Sequence, residues 1–353
     1  MVANFFTTEP VKNLTITRGN GADSTSQVKV ADPDATDGYI IRAKLTADIS
    51  ADFSVNIWSD ASTLCTSAHR CLLTTTDQAI YVNDTDSATT EPDGDTIDFN
   101  VRINSDTGAA IDTYNATIEY TKTRASFMHN FSSTKCGNMD EYPNTGSELD
   151  LIDYRDGKTY KIRKLADGKC WTMNNLALSG RSLNPLILDS KTTDMESGTY
   201  SLGVMPTGND ASNNYCRNLN PAIHPYKCGN LYTWAAAGVG FTTGNGEITP
   251  YSICPKNWRL PTGGASGEYT TLFSYLSVIS GPGVPTSAWQ GLYSGYATSS
   301  GTLTNVSSDG RYWTATGGTG SNQLGIYYTS SSAFNLNNSQ SRADYLAVRC
   351  VAR

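Results

Sequence analysis

Eight cysteines, Cys65, Cys71, Cys136, Cys170, Cys216, Cys228, Cys254 and Cys350, constrain this chain more than any other feature. No two of them form a C-x-x-C pair, and the three histidines, His69, His129 and His224, are too scattered to supply a local ligand pair. His69 does fall between Cys65 and Cys71 in TLCTSAHRC, but that cluster offers three ligands and no fourth nearby. An even number of cysteines in a Ser/Thr/Asn-rich, Lys-poor chain predicts disulfides and an oxidising compartment. Cys65 and Cys71, six apart, are expected to clip a loop or hairpin between strands. No metal and no cofactor are expected.

Charge separates the remaining classes. Charged residues make up 17% of the 353 and the net charge is -7, which argues against a nucleic-acid partner, because that role requires a basic patch. No apolar run of about 18 residues occurs, so no helical membrane span is expected. A membrane is expected to enter only through an anchor absent from this sequence. MVANFFTTEP has neither a charged n-region nor an apolar h-region, so export is inferred from composition.

From about residue 10 to 122 the chain alternates with period two. In TIDFNVRIN, Ile97, Phe99, Val101 and Ile103 share a face opposite Asp98, Asn100, Arg102 and Asn104. In TYNATIEYT the shared face is Tyr114, Ala116, Ile118 and Tyr120, and FSVNIW repeats the pattern with Phe53, Val55 and Ile57. Short alternating runs between Gly/Asp/Asn/Pro clusters predict an antiparallel β-sandwich. Asp32, Asp34 and Asp37, or Asp93 and Asp95, offer oxygen atoms for calcium, but Asp and Gly are also what turns prefer. Neither stretch has the spacing or terminal Glu of an EF-hand loop, so plain turns are expected.

The pattern changes at TKTRASFM, residues 121–128. Helical signals follow in GNLYTWAAAG, with Leu231, Trp234 and Ala235 on one side, and in SGEYTTLFSYLSVIS, with Tyr269, Leu272, Phe273 and Leu276. Strand-like pieces surround them: KTYKIRKL, KCWTM, GRYWTAT, LGIYYT and YLAVRCV. Short elements joined by long irregular connections predict an α+β unit. In ICPKNWRLPT, Pro255 and Pro261 hold the chain extended while Trp258 and Leu260 point one way. Leu346 and Val348 alternate with Ala347 and Arg349 ahead of Cys350. Trp171, Trp234, Trp258 and Trp313 are expected in the core, and Trp289 is the tryptophan expected to be exposed.

Five stretches in order, DYRDGKTYKIRKLADGKCWTMNNL, YKCGNLYTWAAA, ICPKNWRLPT, YWTAT and LAVRCVAR, resemble the Fibrobacter succinogenes major paralogous domain (FISUMP) family across nearly all of residues 127–353. That resemblance implies a C-type-lectin-like fold, and the first half resembles immunoglobulin-like modules in pattern. The expected architecture is an all-β immunoglobulin-like sandwich at residues 1–124, followed by an α+β C-type-lectin-like domain at 125–353. The resemblance also implies that Cys254 bonds Cys350, which would stabilise the domain by roughly 4–5 kcal/mol in the chain-entropy model. Cys136 with Cys170 and Cys216 with Cys228 are the pairings then left, with connectivity open.

The Glu-Pro-Asn or Gln-Pro-Asp and Trp-Asn-Asp triplets of calcium-dependent sugar binding are absent from the second half; Glu91 to Asp93 lies in the first. The related formylglycine-generating enzymes need reactive cysteines, and here all six cysteines of the domain are assigned to disulfides. His224, in NPAIHPYKC, has no nucleophile-elbow pattern beside it, so catalysis is not expected. The same fold is used by variable proteins of diversity-generating retroelements, in which adenine-directed copying turns Asn codons into Tyr, Ser, Asp, Thr, Gly, Ala and others. Residues 317–345 contain no Lys, Glu, Met or Trp; Gln323 and Gln340 are the exceptions that such codons do not explain. Tyr, Ser, Gly and Asn are also the residues of antibody paratopes.

The expected function is thus exported ligand display by the C-terminal domain. The alternatives are a fixed-specificity carbohydrate or cell-wall adhesin and a structural surface module. The candidate contact residues are Tyr293, Tyr296, Thr298, Arg311, Asn322, Tyr327, Tyr328, Asn335, Asn337 and Arg342. Strand alternation means that only one of Tyr327 and Tyr328 can face a ligand. The expected partner is a protein or glycan on another cell or surface, met outside the cell or at the surface of a prokaryote.

Overall fold

The structure, a computed structural model, describes residues 5–6, 11–17, 22–31, 39–47, 53–62, 64–83, 95–105, 113–124, 126–153, 155, 157–178, 186–189, 194–197, 204–206, 218–219, 224–226, 228–239 and 244–353. Asp32, Asp34, Asp37, Asp93 and Cys216 lie outside the described residues. Two compact units result: Met1–Phe127 with Tyr154–Lys158, and Met128–Asp153 with Thr159–Arg353.

The regular elements among the described residues of the first unit are strands: β1 (Phe5–Phe6), β2 (Val11–Thr17), β3 (Ala22–Ala31), β4 (Tyr39–Leu45), β5 (Phe53–Trp58), β6 (Cys71–Leu73), β7 (Gln78–Asn83), β8 (Asp95–Ser105) and β9 (Thr113–Arg124). They pair into antiparallel sheets of order β1-β3-β8-β5-β6 and β2-β9-β4-β7. The period-two pattern explains why the two sheets share one core. Ile97, Phe99 and Val101 of β8 are buried with Val55 and Ile57 of β5, and they meet Ile41, Ala43, Ile118 and Tyr120 from the other sheet. Asp98 on the opposite face is exposed. Phe99 stacks on Tyr120 with ring centroids 5.7 Å apart. Cys65 and Cys71 are bonded, with 5.3 Å between their Cα atoms, and close the loop that leads into β6.

The second unit mixes short strands and short helices. A sheet of order β10-β11-β12-β23-β17 takes in β10 (Glu148–Asp153), β11 (Lys158–Lys164), β12 (Cys170–Thr172), β17 (Trp258–Arg259) and β23 (Val351–Ala352). Hairpin β13 (Leu186–Asp189) and β14 (Asp194–Ser197) stands alone, and β15 (Val204–Pro206) pairs with β16 (Asn230–Tyr232). Hairpin β18 (Tyr296–Ala297) and β19 (Leu303–Thr304) precedes a three-stranded sheet of β20 (Asp309–Gly317), β21 (Asn322–Thr329) and β22 (Phe334–Ser341). Among the described residues the α-helices are α1 (Ser133–Gly137), α2 (Trp234–Ala237), α3 (Glu268–Tyr275) and α4 (Gly283–Thr286), with one 3-10 turn at Met128–Asn130.

Two helical expectations need correction. Leu231 lies in β16 rather than on a helix, and Ala235 of the four-residue α2 is exposed. Thr233 caps that helix through its hydroxyl, so the chain cannot begin a helix earlier. The helix expected over 266–280 ends at Tyr275, where Ser277 turns the chain through a positive φ of 54°. Of the expected face, Tyr269, Leu272 and Phe273 are buried, and Leu276 is half-buried at the helix's C-cap. Its start is set by Thr262: the hydroxyl accepts the Glu268 N–H at 2.9 Å, and Glu268 Oε2 accepts the Thr262 N–H at 3.0 Å.

The core of this unit is aromatic. Trp234, Trp258 and Trp313 are buried around the disulfides Cys136–Cys170 and Cys254–Cys350; Trp258 Nε1 donates to the Met128 carbonyl at 2.8 Å and Trp313 Nε1 to that of Tyr232 at 2.6 Å. Cys228 is also disulfide-bonded. A second cluster gathers Trp171, Tyr269, Phe273, Trp289, Tyr312 and Tyr328. The expectation that Trp289 is exposed is therefore wrong. It is fully buried, with Tyr269, Phe273 and Tyr312 at 5.6, 5.3 and 5.0 Å and the Arg349 guanidinium 4.4 Å above its ring.

Arg349 departs from simple alternation as well. It is fully buried although the pattern puts it opposite Leu346 and Val348, because residues 346–350 are covered on both sides. Its Nε donates to Asn175 Oδ1 at 2.9 Å and its two Nη atoms donate to the Trp289 and Gln290 carbonyls. A buried guanidinium needs such acceptors, and here they fix the loop that leads to Tyr293. No helix among the described residues is long and apolar enough to cross a membrane.

Candidate ligand face

The polar segment is carried by β18–β19 and the β20–β21–β22 sheet. Register places Arg311, Tyr327 and Asn335 side by side across the three strands. Arg311 organises this row. Its guanidinium lies 3.7 Å from the Tyr296 ring centroid and 4.7 Å from that of Tyr327. Nη1 donates to Gln340 Oε1 at 3.0 Å, and Nη2 pairs with Asp309 Oδ2 at 3.2 Å. Asp309 also accepts from Asn305 Nδ2 at 2.7 Å, drawing in a turn in which Asn305 and Ser307 both hold positive φ.

The other face of the sheet is core. Tyr328 lies across Gly310, where a Cβ would meet its ring at 2.1 Å, and its hydroxyl donates to the Leu292 carbonyl at 2.8 Å. Tyr328 is thus fully buried while Tyr327 is half-buried. Tyr293 is buried too, its hydroxyl reaching the Gly281 carbonyl at 3.3 Å. As candidate contacts, Tyr328 and Tyr293 are corrected to core residues, since a tilted ring contact between them, with centroids 5.7 Å apart, holds both inside. Burial raises the Tyr293 hydroxyl above the usual range.

Tyr296, Arg311, Tyr327 and Asn335 come together. Asn337 is exposed two residues along β22, and its N–H is accepted by Asn335 Oδ1 at 2.9 Å. Thr298 begins a hydroxyl row, with Ser300 at 2.8 Å and Thr302 a further 3.2 Å on. Asn322 lies at the far end of β21, opposite Ser341. Arg342 sits just beyond, half-buried, with its carbonyl accepting the Trp234 N–H at 3.1 Å.

Asp309, Gln340 and Asp344 escaped the sequence reading. Asp309 had a signal, since it stands two residues from Arg311 on one strand and so on the same side. Gln340 had one as well, as an exception in the composition of 317–345; both exceptions, Gln323 and Gln340, are buried. Burial raises the Asp344 carboxyl, while the Ser299 N–H and Arg311 pull it down. Burial also raises the Tyr327 hydroxyl, with Asp309 adding to the shift. Among the described residues, no three His, Cys, Asp or Glu side chains converge as a metal site would require. His224 is buried and lowered to about 4, by desolvation first and then by Arg349 and Arg163.

Compared with protein-family models, with curated proteins and with solved structures, the chain matches none.

Proposed function

We propose that this chain is an exported binding protein rather than an enzyme. An immunoglobulin-like sandwich accompanies a C-type-lectin-like unit of the FISUMP kind. Residues 293–345 of that unit present a ligand face open to diversification, as in variable proteins of diversity-generating retroelements. The partner is a protein or glycan on another cell or surface. Three described disulfides favour an extracellular or cell-surface setting.

One observation carries the reading: the polar segment sorts by burial in the way a display surface requires. Gln323 and Gln340, the residues outside the Asn-derived codon set, are buried, whereas Asn335, Asn337 and Ser339 are exposed along one strand. Variation at the exposed positions would leave the core intact, and the aromatic and disulfide framework behind them holds the face rigid.

The test is binding of the fluorescently labelled chain to panels of intact bacterial and host cells. The N335A/N337A variant is expected to lose binding by at least tenfold with unchanged thermal unfolding. Undiminished binding would place recognition elsewhere on the chain and contradict the reading.

A further inference from the structure

The carboxyl and guanidinium groups of residues 293–345 are those of Asp309, Arg311, Arg342 and Asp344, with no Lys, Glu or His among them. Three of the four answer one another. Arg311 is held by Asp309, by Gln340 and by the rings of Tyr296 and Tyr327, and its side chain is 13% exposed against 5% for Asp309. Asp309 accepts further from Asn305 and from the Ser308 hydroxyl at 3.3 Å. Asp344 accepts the Ser299 N–H and stands in the field of Arg311. A guanidinium so occupied is a brace, because using it as an ionic anchor for a ligand would first break its pair with a buried carboxylate.

Apart from Arg342, half-buried just beyond β22, what the face turns outward is uncharged. Thr298, Ser300 and Thr302 link their hydroxyls in a row, and Asn335 and Asn338 stand beside Tyr327 and Gly325 on the Arg311 side of the sheet, whereas the register shift in β22 leaves Asn337 and Ser339 on the side of Leu324. The exposed large hydrophobic residues among the described residues are Leu72, Ile248, Tyr275 and Ile279, and none lies within 293–345. Protein partners are held by a desolvated apolar centre with aromatic or Arg anchors. This face has Arg311 committed internally and exposes no large hydrophobic side chain. Rows of hydroxyl and amide groups, each able to donate and accept, match the vicinal hydroxyls of a sugar, while tyrosine rings match its apolar C–H faces.

Resting on the binding reading above, we propose that this face takes a neutral glycan without a metal ion, and that Arg311 is a positioning residue that holds Tyr296 and Tyr327 in place. The full chain is applied to an array of neutral, sialylated and sulfated glycans at about 50 mM and about 500 mM salt, where screening of exposed charge differs strongly. Expected are hits among neutral glycans that change by less than about twofold between the two salts. N335A, on the Tyr327 side of the sheet, removes at least tenfold of that signal. R311K keeps the charge but not the planar group that packs on rings, and is expected to lose a similar factor. If R311K lowers the melting temperature, Y327F, which keeps the ring and loses the hydroxyl, carries the test with an expected loss of threefold or less against tenfold for Y327A. A preference for sialylated or sulfated glycans that fades at high salt, with R311K retaining it, overturns the proposal. So does an array without hits; if the cell panel still binds through Asn335 and Asn337, display stands and only the glycan assignment falls.

Discussion

Strands of the first unit pair residue against residue over long ladders, from Val11 opposite Glu119 to Thr17 opposite Thr113. In the second unit β12, β16, β17, β18, β19 and β23 have only two or three residues each. Ladders that short specify little by themselves. The second unit instead relies on ring contacts, on indole N–H groups aimed at particular carbonyls, and on disulfides spanning 34 and 96 residues, against a span of 6 in the first. A framework fixed by side chains and cross-links leaves its surface strands free to carry almost any polar residue. That freedom is what a display surface needs.

The contrast can be broken most forcefully at the cross-links. Replacing Cys254 and Cys350 by Ala should cost about 4–5 kcal/mol in the chain-entropy model, whereas the Cys65/Cys71 double variant should cost roughly 2–2.5 kcal/mol. Urea unfolding followed by tryptophan fluorescence reads this, since Trp58 alone reports the first unit. Next in size is W313A, which empties a fully buried site and removes one of the hydrogen bonds that the Tyr232 carbonyl accepts, at about 3–5 kcal/mol. I57V on a first-unit strand should cost about 1 kcal/mol by the same assay.

The pH profile sharpens the comparison, because the shifted carboxylates Asp167 and Glu268 belong to the second unit. Burial would raise Glu268, but the bidentate Arg259 pair, Lys169 and the Thr262 N–H bring it from 4.5 to about 2. Its contribution is present above pH 4.5 and is lost as pH falls toward 2. Burial lifts Asp167 from 3.8 to about 6 against the Lys169 N–H and Trp171 Nε1. The stability tied to its neutral form is complete below 3.8 and is lost as pH rises through about 6. D167N should flatten the stability profile between those values, and E268Q should abolish the loss below pH 4.5, each on the order of 1–2 kcal/mol. The smallest effect belongs to the face: N335A/N337A should move stability by less than about 0.5 kcal/mol while removing binding.

Much of the first unit was legible because one rule, period two, governs it: Ile97, Phe99 and Val101 are buried where alternation puts them. In the second unit the same rule misleads. Arg349 alternates with Leu346 and Val348 yet is buried, because both sides of that stretch are covered, and no local pattern announces the Trp289 and Gln290 carbonyls that satisfy it. Trp289 looked irregular and therefore exposed, but its partners Tyr269, Phe273 and Tyr312 are distant in sequence. On the face, the split between Tyr327 and Tyr328 followed from alternation alone. The link from Arg311 to Tyr296 and Gln340 did not, since it depends on how a hairpin and an edge strand meet.

The most direct test of the display reading is the sequence of this gene and its neighbourhood in several sibling isolates. A nearby imperfect copy of the codons for 293–345, beside a reverse transcriptase, is predicted to differ at adenines in codons for exposed residues such as Asn335 and Asn337. Gln323, Gln340, Trp313 and Cys350 are predicted to stay unchanged. A segment identical in every sibling, with no such copy, would contradict diversified display and leave a face of fixed specificity.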